Sequence, residues 1–351
     1  MSCYNPTFVH RHIDNKTGDI TAKFVGNCKN DEYLYNLLKS KYDGKLTNNV
    51  IKINPFDYYV QIPCGKCIGC RMDYSRSWAD RMTYHSIGKE DSSYFITLTY
   101  DDQKQSELYY NPIYDVYSLN YDHMTEFIKR LRNKFRDAQI DYYYSGEYGD
   151  CSFRNHFHMI AYNLFIPDLE FYKLNDLGDP LYTSNIIESL WTYGFCTIGL
   201  FNWRSAAYTA RYVEKKRDGR ALVEYTALGL EPEKCRCSRR PGIAYDYYLD
   251  NYKDIWLNNG LRVDRSVNSQ GRLGIPRYFR KLANTYTIDR DGVKALRGFD
   301  EFTEWQRKSL EHQNIINPFV FDNSSFDLKN IRDMLAFEER EILSRKKQRN
   351  F

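Results

Sequence analysis

The stretch FRNHFHMIAY at 153–162 constrains this chain more than any other. Successive side chains of a strand face opposite ways. His156, His158 and Ile160 therefore share one face, and Phe157, Met159 and Ala161 share the other. One face packs into a core. The other then presents two imidazoles about 6–7 Å apart at the backbone, close enough to grip one ion. The preceding run, IDYYYSGEYGD at 140–150, reads as a strand and a turn. If 140–147 pairs with 156–162 as a hairpin, Glu147 can lie opposite His156 on the same face. Two imidazoles and one carboxylate with open positions suit a catalytic divalent ion that handles phosphate oxygens. H-x-H alone is a weak pattern, and the bland alternative is two histidines without a ligand. The chain carries its own control in His10 and His12, a second H-x-H in a short polar hairpin with no acidic residue placed to complete a site.

A second pattern lies at 206–216, AAYTARYVEKK. On a helix Tyr208 and Tyr212 stack on one face, with Arg211, Lys215 and Lys216 nearby. A tyrosine oxygen can attack a phosphodiester and hold the DNA as a phosphotyrosine ester, provided the phosphate is polarised and its charge offset. An amphipathic helix packing aromatic residues would look the same.

The third pattern is PCGKCIGCR at 63–71, in which Cys64, Cys67 and Cys70 form C-x2-C-x2-C. Three thiolates at this spacing make most of a zinc site, with Cys3 or a histidine as fourth ligand. An iron–sulfur cluster accepts the same spacing, but nothing else in the chain suggests electron transfer. Nine cysteines are an odd number, and no signal peptide precedes them. Reduced thiols or a metal site are expected rather than a disulfide framework. Cys235 and Cys237 are too close together to support a separate four-ligand site.

The 351 residues suffice for a sizeable core in one large or two moderate domains. No stretch approaches membrane-spanning length, so the protein is expected to stay in the compartment where it is made. A formal net charge of +4 says little about partners, whereas 32 tyrosines and 20 phenylalanines beside Arg and Lys suit stacking on single-stranded bases. Packing in strands accounts for most of them.

The remaining elements read as a hairpin over 7–25, a short helix over 31–42 and a helix from Ser75 to Ser86. FITLTY at 95–100 reads as a strand. From Asp122 a helix carries Met124, Phe127, Ile128, Leu131 and Phe135 at helical spacing. Ser184 caps a helix that stops at Gly194, 195–201 is a strand, and Ser205 caps the tyrosine helix. A charged helix is expected over 326–347. The fold class is α+β, a central antiparallel sheet flanked by helices.

In order along the chain, MSCYNP, PCGKCIGCR, FITLTYDD, SGEYGD with RNHFHMIAY, AAYTARYVEKK and SRRPGIA resemble the replication initiation proteins of the gokushoviruses, single-stranded DNA phages of the microvirus group. The resemblance covers most of 1–245. It places the chain among the HUH endonucleases, whose sheet carries a His-hydrophobe-His metal site beside a helix with nucleophilic tyrosines. It implies His156, His158 and Glu147 as ligands of Mg²⁺ or Mn²⁺, Tyr208 and Tyr212 as nucleophiles, and Lys216 as the basic residue after them. FITLTY matches the family's first motif. It also implies single-stranded viral origin DNA as substrate, host polymerase and helicase as partners, and the host bacterial cytoplasm as location. Rolling-circle replication would proceed through a covalent 5′-phosphotyrosine intermediate. The expected division is a Cys-cluster segment over 1–90, an endonuclease core over 91–245 and a C-terminal region over 246–351. Asn155 stands where proline is common in the family, which is expected to loosen the turn. Rival readings are another HUH nuclease, such as a transposase or relaxase, and a zinc-containing DNA-binding protein without catalysis.

Overall fold

The computed structural model describes residues 3, 7–13, 20–27, 46–47, 50–52, 57–113, 115–149, 154–215, 225, 227–266, 269–283, 286–288 and 294–296. The expected helices over 31–42 and 326–347 lie outside the described residues, as does Lys216. The elements in chain order begin with β1 (Thr7–Ile13), β2 (Ile20–Asn27), β3 (Leu46–Thr47), β4 (Val50–Lys52), β5 (Asp57–Ile62) and α1 (Ile68–Ser86). Then follow β6 (Tyr94–Tyr100), α2 (Asp102–Ser106), β7 (Tyr110–Asn111), β8 (Val116–Tyr117) and α3 (Tyr121–Lys134). Next come β9 (Asp141–Tyr148), β10 (Asn155–Tyr162), β11 (Glu170–Leu174), β12 (Pro180–Thr183), α4 (Asn185–Leu190) and β13 (Gly194–Leu200). The last are α5 (Trp203–Lys215), β14 (Cys235–Cys237), α6 (Tyr245–Leu257), β15 (Leu261–Ser266), β16 (Ser269–Leu273) and α7 (Arg277–Ala283).

The chain divides into two compact units, with a boundary between Asp73 and Tyr74. The described part of the first holds an antiparallel sheet in the order β2-β1-β5-β4-β3, then the cysteine loop and the first turn of α1. The second holds a seven-stranded antiparallel sheet in the order β11-β12-β13-β6-β10-β9-β14. The fold is α+β, as the sequence implies.

Both faces of that sheet are covered. On one, Phe157 and Met159 of β10 meet Met124, Phe127 and Leu131 of α3 and Trp191, all buried in one cluster. The helical spacing of the α3 residues puts this stripe against the sheet. Asn120 caps α3 by accepting from the Asp122 amide at 3.0 Å, so the helix starts one residue before the expected point. The face bearing the histidines is not simply open. Ile160 and Tyr162 are buried on it, and the Tyr162 hydroxyl donates to the Met82 carbonyl of α1 at 3.2 Å. Only the end of β10 holding the histidines is left for chemistry.

Two expected starts move. Helix α1 begins seven residues before Ser75, immediately after Cys67. Helix α5 begins at Trp203, and Ser205 lies inside its first turn. Asn202 accepts from the Ser205 amide at 2.9 Å while the Ser205 hydroxyl accepts from the Asn202 amide at 3.0 Å, a reciprocal capping box. Ser184 caps α4 as expected, accepting from the Ile187 amide at 3.1 Å. Sequence reading did not foresee the edge strands β11, β12 and β14.

Candidate metal centre and tyrosine helix

The β9–β10 hairpin has His156 opposite Glu147 and His158 opposite Ser145. Paired residues share a face, so the register brings Glu147 to both histidines. His156 Nε2 and His158 Nε2 each lie 3.2 Å from Glu147 Oε2, and 3.0 Å from one another. Glu147 and His158 are buried, whereas His156 is half-buried. Bonds of about 2.1 Å at right angles put neighbouring ligand atoms about 3.0 Å apart, so this triangle fits one face of an octahedral ion. Two imidazoles and a carboxylate are a donor set that Mg²⁺ and Mn²⁺ accept.

The outer nitrogens of both rings are held. His156 Nδ1 donates to the Arg154 carbonyl at 2.9 Å, which leaves Nε2 as an electron pair. His158 Nδ1 meets the Thr97 hydroxyl at 3.1 Å. That hydroxyl can accept from Nδ1, which frees Nε2 for a cation, or donate to it, which leaves a proton on Nε2. Burial, opposed by Glu147, pulls the His158 imidazole down to a pKa of about 4, so a protonated ring does not occupy the triangle at neutral pH.

Thr97 and Phe95, which sequence reading did not single out, complete this wall. Both alternate onto the histidine face of β6, with Thr97 opposite His158. Phe95 stacks on His158, with ring centroids 5.3 Å apart and planes 15° from parallel. The signal was in FITLTY: its odd-numbered residues face the imidazoles once the β6–β10 pairing is known.

Asn155 does not loosen the turn. Its fully buried side chain donates to the Ser118 carbonyl and accepts from Gln105 Nε2, both at 2.9 Å. Arg154 adds bonds to the Tyr100 carbonyl and a 2.5 Å pair with Asp102.

Helix α5 packs across β9 and β10 on this face. Ala206, Thr209 and Ala210 are buried, and their small size lets the helix lie close to the sheet. The Tyr208 ring stands edge-on to His158, with centroids 5.0 Å apart, and lies 6.1 Å from Phe95. The Arg211 guanidinium lies 5.9 Å from the centre of the Tyr208 ring. Tyr212 falls on the same helix one turn later, and its side chain is outside the described residues. The start of α5 is tied to α1 through Trp203 Nε1, which donates to Asp80 Oδ1 at 2.9 Å.

SRRPGIA clasps α1 rather than entering the metal triangle. Arg81 Nε donates to the Ile243 carbonyl at 2.8 Å, and the Ala244 amide donates to His85 Nδ1 at 3.0 Å. The Arg81 guanidinium also lies between two rings, 4.6 Å from the centre of Trp78 and 3.7 Å from that of Tyr278. Trp78 in turn packs on Tyr143 of β9 at 5.0 Å. Around them is a cleft of about 370 Å³ lined by Tyr74, Trp78, Arg81, Arg277, Tyr278 and Lys281, with no carboxylate in its wall. Tyr143 shares the sheet face of Glu147, about 13 Å away along the strand.

The cysteines also converge. Cys3, Cys64, Cys67 and Cys70 place their sulfurs within 4.8 Å of one another. Cys235 and Cys237 belong to no such group among the described residues.

Residues 93–217 match the model of the phage replication-associated protein family, described by its ORF2 members. The chain is 36% identical over 221 residues to the Replication-associated protein ORF2 of Spiroplasma virus 4, covering 62% of this chain and 66% of that protein. It is 36% identical over 156 residues to the Replication-associated protein VP4 of Bdellovibrio phage phiMH2K, covering 44% and 48%. A third relative, the Replication-associated protein ORF4 of Chlamydia phage 1, is 30% identical over 234 residues, covering 63% and 53%. The chain is a relative of the phage replication-associated proteins. It spans between about half and two thirds of the length of these relatives. The family segment runs from β6 through α5 and so contains the histidine pair, Glu147 and both tyrosines, but not the Cys64–Cys70 loop. No solved structure matches the chain.

Proposed function

We propose that this chain initiates rolling-circle replication by nicking and rejoining single-stranded origin DNA through a tyrosine nucleophile, as an HUH endonuclease. The observation that carries the reading is the convergence of His156, His158 and Glu147 with the Tyr208 ring at 5.0 Å from His158. A hairpin register, a second strand pairing and a crossing helix all have to agree to produce it.

His156, His158 and Glu147 would hold Mg²⁺ or Mn²⁺, which when bound polarises a phosphate oxygen of the substrate. The chain supplies the rest. Tyr208 directs its phenol oxygen at the scissile phosphorus. A bond forms from that oxygen to phosphorus, and the bond to the 3′ oxygen breaks. The phenol loses a proton and the departing 3′ oxygen gains one. The DNA is left joined through its 5′ phosphate, and one phosphodiester has replaced another, so the chemistry needs no ATP. Arg211 lies beside the ring to offset the added negative charge. Tyr212, one turn on, serves the second transfer that closes the circle. Lys216, outside the described residues, is the further cation in this proposal.

The free 3′ hydroxyl would prime a host polymerase, with a host helicase opening the duplex, in the bacterial cytoplasm. No described helix is long and apolar enough to cross a membrane. The cleft beside Trp78 supports a single-stranded partner: aromatic faces stack on bases and Arg277 and Lys281 offset phosphates.

The test is incubation with single-stranded oligonucleotides tiling the viral strand, in the presence of Mn²⁺. One oligonucleotide should become covalently attached to the protein and release a fragment with a free 3′ hydroxyl. A protein that binds the strands and never cuts them is a binding protein, which contradicts the proposal.

A further inference from the structure

Outside the nuclease face, a second constellation has ligand geometry of a different kind. Cys67 and Cys3 have their sulfurs 3.9 Å apart, and Cys64 and Cys70 have theirs 4.0 Å apart. A tetrahedral zinc with bonds of about 2.3 Å sets its sulfurs about 3.8 Å apart. A disulfide needs about 2.05 Å, so none of these pairs is one. We infer that Cys3, Cys64, Cys67 and Cys70 hold one zinc ion.

The backbone is arranged around the sulfurs. The Cys64 amide donates to Cys3 Sγ at 3.2 Å, and the amides of Lys66 and Cys67 donate to Cys64 Sγ at 3.4 and 3.3 Å. Amides pointed at sulfur stabilise the thiolate form that a metal requires. Cys67 supplies the first helical carbonyl of α1, which accepts from the Arg71 amide at 3.0 Å, and Cys70 sits in the first turn. The positive end of the helix therefore faces two of the four thiolates. Gly65 takes φ +72° between Cys64 and Cys67, so the loop turns there with a residue that meets no Cβ penalty.

The ion does structural work. Cys3 lies 61 residues before Cys64 in sequence, and metal ligation ties that distant segment to the start of α1. Four sulfurs leave no open position for substrate, which separates this site from the histidine triangle. Soft thiolates select zinc, and the imidazole–carboxylate set takes harder ions.

The test uses the full chain, expressed without added metal and washed with EDTA. Elemental analysis should find one zinc per chain, and X-ray absorption at the zinc edge should show four sulfurs at about 2.3 Å. A triple variant, Glu147→Ala with His156→Ala and His158→Ala, should keep the same zinc. Cys3→Ser should lose zinc on EDTA washing, or show three sulfurs and one lighter ligand. Protein that folds with no zinc, iron in place of zinc, or an absorption spectrum with nitrogen or oxygen as the main ligands would overturn the assignment. None of these outcomes depends on whether the chain cuts DNA.

Discussion

His156 lies directly across the β9–β10 ladder from Glu147, and its Nε2 stops 3.2 Å from the carboxylate that His158 also reaches. One carboxylate oxygen thus serves two imidazoles from a single strand face. The expected consequence is that the three side chains fail together. His156→Ala and His158→Ala should each slow adduct formation by more than about a hundredfold, beyond the loss typical of removing an outer-shell partner, while binding to single strands stays near wild type. Glu147→Gln should raise the Mn²⁺ concentration needed for half-maximal cutting. Cutting rates at several Mn²⁺ concentrations check this, and a double histidine variant that cuts normally refutes the ligand assignment.

Thr97 orients His158 without touching substrate. Thr97→Val keeps the shape of the side chain and removes the hydroxyl that meets Nδ1 at 3.1 Å. Metal affinity should fall about 10–100-fold, with maximal cutting largely recovered at saturating Mn²⁺. Thr97→Ser should restore the wild-type metal dependence. A variant with lower maximal rate and unchanged metal affinity would mean that Thr97 does something else.

Asp141 sets a pH dependence of stability. Its carboxyl is buried, which by itself raises a carboxyl pKa, but His85 at 3.3 Å outweighs burial and holds it below the ordinary value. A depressed carboxyl contributes stability above the unfolded value of about 3.9 and loses it as pH falls through the folded value. Asp141→Asn should cost about 1–3 kcal/mol at neutral pH. Its deficit against wild type should shrink as pH falls below about 4. Urea unfolding at several pH values measures this. A deficit that grows on acidification contradicts the sign.

The cleft beside Trp78 makes a salt prediction. Arg277 and Lys281 are exposed on its wall. Each phosphate contact on a single strand contributes about 0.7 to the slope of log affinity against log salt. Replacing both by alanine should therefore reduce the slope by about 1.4 for a random-sequence single-stranded oligonucleotide of about 30 nucleotides. An unchanged slope would place the strand elsewhere.

The alternation in FRNHFHMIAY and the position of GEYGD were enough to foresee which residues would meet, because a hairpin converts a two-residue period into shared faces. The aromatic stripe of α3 was legible for the same kind of reason at helical period. What escaped was contributed by partners distant in sequence. Thr97 and Phe95 matter only because β6 pairs with β10, and no local pattern states that pairing. Ile160 and Tyr162 read as continuing an open face, but α1 covers them through Met82 and His85. Asn155 read as a weak substitute for proline, and its use became visible only with Ser118 and Gln105 beside it.

The most direct measurement is the identity of the residue joined to DNA. The adduct formed with the cut oligonucleotide in Mn²⁺ should be digested and the DNA-bearing peptide sequenced by mass spectrometry. The proposal expects a 5′-phosphate ester on Tyr208 or Tyr212, and no adduct from the Tyr208→Phe, Tyr212→Phe double variant. An ester on a tyrosine outside α5, or an adduct that persists in the double variant, would contradict it.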